Sequence, residues 1–125
     1  MSLNLVATEK APAAVGPYSQ GVVVGNLVFT SGQLPLVPGT GELISDIEKA
    51  TRQALDNVKA ILEQAGSSLE KAVKVTVFVA DINNFGKINE VYAEYFSNHK
   101  PARSLVEVAK LPKGGVIEIE AIAEI

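Results

Sequence analysis

The sequence contains no cysteine, and only one of its 125 residues, His99, is a histidine. The lack of cysteine excludes disulfide bonds, a thiolate nucleophile and thiolate metal ligands. A single histidine gives little basis for a metal site or for a histidine general base. We interpret His99, in the polar segment SNHKP, as a solvated residue at a helix end. We therefore expect a site that works without a metal or a cofactor.

Positive charge and long apolar runs are scarce as well. The eleven Lys and Arg residues are scattered and the net charge is −3, which argues against a nucleic-acid-binding surface. No apolar run approaches the ~18 residues that cross a bilayer. The N-terminal segment MSLNLVATEK lacks the basic start and apolar centre of a secretory signal. With the absence of cysteine, these features predict a cytoplasmic location.

The hydrophobic content of the chain is 47%, which is enough for a core of its own. The sequence has no internal repeat, no low-complexity tract and no linker. Its glycines and prolines lie between periodic segments, where they indicate turns. We predict a single domain over residues 1–125.

Valine-rich segments predict a β-hairpin near the N-terminus. The strands Gly21–Val24 and Leu27–Thr30 flank Gly25 and Asn26, a two-residue turn of the type that joins antiparallel strands. A short strand over Leu3–Ala7 is expected to pair nearby. Further along, Val73–Val79 alternates in the period of a strand, and strands are predicted at about Ser104–Val108 and Val116–Ala123.

Two segments have the period of α-helices. Asp46 is a suitable N-cap for a helix that ends at Gly66, a typical residue after the last helical turn. A second helix is predicted to start at Asn83 or Asn84 and to end by Lys100, because Pro101 follows. Its core-facing stripe is predicted to consist of Phe85, Ile88, Tyr92, Tyr95 and Phe96.

The order ββαβαββ predicts an α/β fold, in which one mixed, mostly antiparallel sheet carries two helices on one face. In the last strand, one set of alternate residues is purely aliphatic, whereas the other set includes Glu118 and Glu120. We interpret this second face as the contact with another subunit, with the charges near a wet pocket. The alternative is a sheet with one solvated face.

Arg103, at the start of one predicted strand, is the residue most suited to a small-molecule site. A guanidinium presents a fork of donors that fits a carboxylate in two places, and a nearby glutamate can hold and polarise a water molecule. Residue types alone also allow an arginine–glutamate ion pair that merely ties two strands together.

Five segments of the chain resemble the RidA (reactive intermediate deaminase A, or YjgF) family. They are GPYSQG at Gly16–Gly21, TSGQLPL at Thr30–Leu36, NEVYAEYF at Asn89–Phe96, PARSLVEVAKLPKG at Pro101–Gly114 and IEIEA at Ile117–Ala121. The resemblance runs from about Ala11 to the end of the chain. It implies a chorismate mutase-like fold and a homotrimer with one cleft at each subunit interface.

The resemblance also implies an activity. Family members hydrolyse reactive 2-imino acids and their enamine tautomers, such as 2-iminobutanoate and 2-iminopropanoate, to 2-keto acids and ammonia. These imines arise from pyridoxal-phosphate-dependent dehydratases, so the reaction is a form of metabolite damage control. The enzyme would be a cofactor-independent hydrolase acting on C–N bonds.

The family's site residues correspond to particular positions of this sequence. Arg103 matches the arginine that pairs with the substrate carboxylate, and Glu118 matches the residue that positions the attacking water. Leu105 stands where family members usually have cysteine, at a position that contributes main-chain contacts. The remaining residues that match the cleft lining are Tyr18, Ser31, Gly32 and Asn89.

Three other functions stay open at this stage. A non-catalytic trimeric sensor would use Arg103 to capture 2-keto acids or other small carboxylates, while Glu118 favours catalysis. Ribonuclease activity, attributed to some relatives, fits poorly with a negative net charge and no histidine pair. A purely structural trimer leaves the pairing of Arg103 with Glu118 unexplained.

Overall fold

The computed structural model describes residues 3–125, so the first two residues of the predicted domain lie outside the described residues. The described chain forms one six-stranded sheet and two α-helices. The predicted order ββαβαββ accounts for five of the strands, and the short N-terminal strand that was expected to pair nearby is the sixth. The elements are β1 (Leu3–Val6), β2 (Gly21–Val24), β3 (Leu27–Thr30), α1 (Ile47–Gln64), β4 (Ala72–Val79), α2 (Phe85–Tyr95), β5 (Ala102–Glu107) and β6 (Ile117–Glu124).

The strand order in the sheet is β1-β2-β3-β6-β4-β5. The pairing of β4 with β5 is parallel, and the other strand pairings of the sheet are antiparallel. The parallel pair requires a crossover, which α2 provides. The prediction of a mixed, mostly antiparallel sheet is therefore confirmed.

The helices cover the aliphatic face of the sheet. In β6, Ile117, Ile119, Ala121 and Ala123 are buried in one core with residues of α1, which confirms the predicted alternation. The N-cap of α1 is also as predicted, because the Lys49 amide donates to Asp46 Oδ2 at 3.1 Å. Helix α1 ends before Gly66, which has a φ of +89°.

Two apolar side chains are exposed: Val73, in the predicted alternation of β4, and Phe85, in the predicted core-facing stripe of α2. Val73 is 51% exposed because the register of β4 against β6 shifts between Ala72 and Lys74, so that Ala72 takes the buried place. Phe85, at the start of α2, is 43% exposed. It lies beside Arg103, on the part of α2 that faces the edge strand β5.

The interpretation of His99 as a solvated residue is wrong. Its ring is half-buried after the end of α2, and Nε2 donates a hydrogen bond to the carbonyl oxygen of Ala72 at 2.6 Å. The residue therefore ties the segment that follows α2 to the start of β4.

The second face of the sheet carries apolar side chains as well as Glu118 and Glu120, and it has no helix over it within residues 3–125. The pairing register places Leu5, Val22, Phe29 and Ile122 side by side across four strands. Leu5 is 71% exposed and Phe29 is 39% exposed. In the described part of the chain, neither helix has the length and apolarity that a membrane span requires.

Candidate functional site

A bulge between β3 and β6 opens a cleft on the second face of the sheet. Strand β3 pairs with β6 as far as Phe29 and Ile122, and contact resumes at Gln33 and Ile119. The three residues 30–32, at and after the end of β3, thus lie opposite the two residues 120–121 of β6. Bulges of this kind bend a strand and re-aim its side chains, often next to active sites.

The bulge brings the backbone of Gly32 against the carboxylate of Glu118. A β-carbon placed at residue 32 would lie 2.8 Å from Cδ and 2.9 Å from Oε2 of Glu118. Real β-carbons essentially never approach this closely, so glycine at this position lets the carboxylate sit against the main chain.

Four of the predicted site residues line this cleft together: Tyr18, Ser31, Gly32 and Glu118. Its volume is about 530 Å³, which is enough for a small metabolite. Tyr18 is 54% exposed, and the Ser31 hydroxyl donates to the carbonyl oxygen of Ser19.

The carboxyl group of Glu118 is tuned by its surroundings. Partial burial raises its pKa above the ordinary value, and the negative charge of Glu120 raises that pKa further. A carboxylate with a raised pKa is a better proton acceptor, which suits a general base acting on water.

Arg103 belongs to a second cluster. Its Nη1 donates to Oδ1 of Asn89 at 2.7 Å, so these two predicted site residues are in direct contact. The ion pair of the described chain joins Arg52 to Glu94 at 3.1 Å and does not involve Arg103. Within the described protomer, the strand-tying arginine–glutamate pair is thus absent.

The two clusters lie on opposite faces of the sheet. Arg103 is the pairing partner of Val75, whose side chain is buried on the helical face, whereas Glu118 is the partner of Phe78. Residues 75 and 78 are an odd number apart on one strand, so their side chains point to opposite sides. Leu105 is the partner of Val77 and lies on the same face as Arg103.

Gln20 is a residue of the cleft that the sequence analysis did not single out. Its side chain is 4% exposed, accepts from the Thr8 amide at 2.6 Å, and donates to the carbonyl oxygens of Thr8 and Pro12 at 3.0 and 2.7 Å. These bonds hold the loop that forms one wall of the cleft beside Tyr18. The signals for it were its place in the segment GPYSQG and its position directly before strand β2.

Phe85 and Tyr92 were also missed, because aromatic residues at helical spacing are typical of a core. The Cζ atom of Arg103 lies 4.6 Å from the ring centre of Tyr92 and 5.8 Å from that of Phe85. Within residues 3–125, no three Asp, Glu or His side chains come close enough together to hold a metal ion.

Comparisons with known proteins identify the family. A family model described as Endoribonuclease L-PSP matches residues 8–125. A curated 2-iminobutanoate/2-iminopropanoate deaminase of Escherichia coli K12 is 56% identical over 121 residues, which cover 94% of each chain. A RutC family protein of Pyrococcus abyssi is 54% identical over 124 residues, 98% of each chain.

Solved structures agree with this result. The crystal structure of the YjgF gene product of E. coli has a TM-score of 0.93 and 55% identity, and the match covers 97% of this chain and 98% of that one. The crystal structure of E. coli TdcF with bound serine has a TM-score of 0.94 and 50% identity, over 98% of both chains. The chain therefore belongs to the Endoribonuclease L-PSP family of RidA and YjgF proteins.

Proposed function

We propose that this protein hydrolyses reactive 2-imino acids and their enamine tautomers to 2-keto acids and ammonia. The observation that carries the proposal is the half-buried carboxylate of Glu118, whose pKa is raised and which lies against Gly32 in a cleft. The 56% identity to a curated deaminase supports an enzyme of this class. We expect the reaction to take place in the cytoplasm, as the composition indicates.

The complete site would need two protomers. One protomer supplies Arg103, Asn89 and the main chain at Leu105, and its neighbour supplies Glu118 and the cleft around Gly32. This assignment is supported by the opposite faces on which the two clusters lie and by the exposed Leu5 and Phe29 on the face that has no helix over it. The arrangement that the family resemblance implies is a homotrimer with three such sites.

In the proposed reaction, Arg103 binds the substrate carboxylate. Asn89 occupies one of the five guanidinium N–H groups, so the others can form a bidentate pair. The bound serine of the TdcF structure, a small molecule with a carboxylate, supports a ligand of this kind. Fixing the carboxylate orients the adjacent C=N bond, and good orientation lowers a barrier by several kcal/mol, up to about 7–11 kcal/mol.

Glu118 is the proposed general base. Its carboxylate takes a proton from water as the oxygen attacks the electrophilic carbon of the protonated imine, which gives a carbinolamine. Glu118 returns the proton to nitrogen, and the C–N bond breaks as the carbinolamine hydroxyl gives its proton to the same carboxylate. The departing ammonia takes up that proton, so a keto acid and ammonium leave. Proton transfer by a positioned group contributes roughly 10²–10⁴-fold to the rate.

The side chain at position 105 is not needed for this chemistry. Leu105 is half-buried and packs against the hydrophobic core. The family resemblance implies that this position contributes main-chain contacts. In the proposed reaction, backbone groups at Leu105 and Gly32 steady the tetrahedral intermediate. We therefore assign no catalytic role to the family's usual cysteine.

The direct test is an imine assay. Imines are generated in situ from serine and threonine with a pyridoxal-phosphate dehydratase, and formation of keto acid is followed with and without the protein. We expect faster release of pyruvate and 2-ketobutyrate in its presence. Equal rates with and without micromolar protein would contradict the proposal.

Mixing two inactive variants tests the shared site. In a random trimer of Arg103→Ala and Glu118→Gln protomers, about a quarter of the interfaces pair an intact Arg103 with an intact Glu118. Activity should therefore return after subunit exchange, to about a quarter of the parental value. Sedimentation equilibrium should give three times the protomer mass. A monomer at micromolar concentration, or no recovery on mixing, would rule out the two-protomer site.

The substitution Gly32→Ala should displace the carboxylate of Glu118, because the new methyl group would lie 2.8 Å from its Cδ. Small displacements of catalytic groups cost up to about 100-fold in rate, so we expect kcat to fall by about 10- to 100-fold. Gly86→Ala is the control, since nothing lies within 4 Å of a β-carbon there. Unchanged kcat for Gly32→Ala would mean that Glu118 does not act from this position.

Glu120→Gln should shift the pH profile. Removing the neighbouring charge lowers the pKa of Glu118, although burial, the larger cause, still holds it above the ordinary value. Because a general base must be ionised, the acid limb of kcat/KM should move to lower pH. Glu124→Gln, on the same strand, should leave the limb in place. A limb that moves to higher pH in Glu120→Gln would contradict this assignment.

A further inference from the structure

Helix α2 presents three side chains to Arg103 from one face. Phe85, Asn89 and Tyr92 are separated by four and three residues, the spacing that places side chains above one another on a helix. Asn89 accepts a hydrogen bond from the guanidinium, and the two aromatic rings lie within 6 Å of its central carbon. This distance is the range of cation–π attraction.

We infer that Phe85 and Tyr92 form an aromatic platform that positions the guanidinium of Arg103 for carboxylate binding. The inference rests on the proposed function, in which Arg103 holds the carboxylate of the substrate. Both aromatic residues are positioning residues, since they act on the ligand through Arg103.

The platform leaves the binding edge of the guanidinium free. Aromatic rings interact with the flat face of a guanidinium, whereas a carboxylate pairs with N–H groups at its edge. Asn89 takes one of the five N–H groups, so a bidentate edge remains available. A long arginine side chain that is already ordered loses less conformational entropy when a ligand binds, so the binding free energy is more favourable.

Core packing alone does not account for this arrangement. Tyr92 is buried and packs on Phe96, with ring centres 4.6 Å apart, but Phe85 is 43% exposed and still lies over the same guanidinium. The buried hydroxyl of Tyr92 has no hydrogen-bond partner among the described residues, so hydrogen bonding does not hold its ring in place.

Calorimetric titration with pyruvate tests the inference. Tyr92→Leu and Phe85→Leu should each weaken pyruvate binding by about 3- to 30-fold, the range of a cation–π contact. Tyr92→Phe keeps the ring and should bind as the parent does. Phe96→Leu is the matched control, because it removes a buried aromatic that touches Tyr92 but not Arg103. Pyruvamide, which has no carboxylate, should bind each variant as it binds the parent.

A second readout needs no ligand. The Nε–H resonance of Arg103, identified by its loss in Arg103→Lys, should be displaced by the ring currents of the platform. That displacement should shrink in Tyr92→Leu and Phe85→Leu and persist in Tyr92→Phe and Phe96→Leu. If neither leucine variant changes this resonance or the pyruvate affinity, or if Phe96→Leu changes them equally, the platform is refuted.

These results separate the platform from the deaminase proposal. Suppose that the parent protein hydrolyses no imine, but that the platform variants lose pyruvate affinity and the resonance displacement. The deaminase proposal is then refuted and the platform is supported. If the parent hydrolyses imines, and the platform variants match it in pyruvate affinity and in the resonance displacement, only the platform is refuted. If pyruvate does not bind the parent, the platform is refuted as a device for carboxylate binding, whatever the resonance shows.

Discussion

Replacing Arg103 with alanine should weaken the binding of pyruvate and 2-ketobutyrate by at least about 30-fold, because losing one member of a desolvated charge pair costs about 2–5 kcal/mol. Imine hydrolysis should fall with it, since an unbound carboxylate no longer orients the C=N bond. Isothermal titration and the coupled imine assay, run on the same preparation, measure both quantities.

The lysine variant refines this result. Arg103→Lys keeps the positive charge but loses the bidentate fork and its planar fit to the aromatic rings, so binding and catalysis should weaken together. Arg52→Ala is the control, because Arg52 pairs with Glu94 at the outer surface of the helices. Unchanged keto-acid affinity in Arg103→Ala would show that the carboxylate is held elsewhere.

Glu118→Gln should separate catalysis from binding. Glutamine keeps the shape of the side chain but removes the basic oxygen, so pyruvate should bind almost as before while imine hydrolysis falls by roughly 10²–10⁴-fold. The expected pattern is a loss in kcat with little change in pyruvate affinity. Titration and steady-state kinetics of the same variant give the two values.

Glu120→Gln is the matched control for this experiment, since it removes a carboxylate from the same face of the same strand. It should retain most of its activity on the plateau of the kcat/KM profile, because the charge of Glu120 affects only the pKa of Glu118 and thus the acid limb. A parental rate for Glu118→Gln would make Glu118 a structural residue. A parent that binds keto acids but hydrolyses no imine would instead favour the non-catalytic sensor.

Strict alternation and clear end signals made much of the fold predictable. Strand β6 alternates from Ile117 to Glu124 without interruption, so both of its faces were predicted correctly. Helix α1 has an Asp46 cap and ends before Gly66, and both signals act locally. The spacing rule failed at Val73 because a register shift depends on the partner strand, which the local pattern does not contain.

The site was predicted as a set of residues but not as a geometry. The family resemblance supplied Arg103 and Glu118, yet their placement on opposite faces depends on β4 lying between their strands. Strand order is a long-range property that periodicity does not encode. Phe85 was assigned to the core for the same reason, because its exposure depends on where β5 lies relative to α2.

The two halves of the site differ in the sequence separation of the residues that contact each other in them. Arg103 and Asn89 are 14 residues apart, within one strand–helix–strand unit, whereas Gly32 and Glu118 are 86 residues apart. Closing the longer loop costs about 1.6 kcal/mol more in chain entropy, since that cost grows with the logarithm of loop length. The half proposed to hold the carboxylate is thus a local product of the chain, whereas the half proposed to activate water forms only once distant strands have paired.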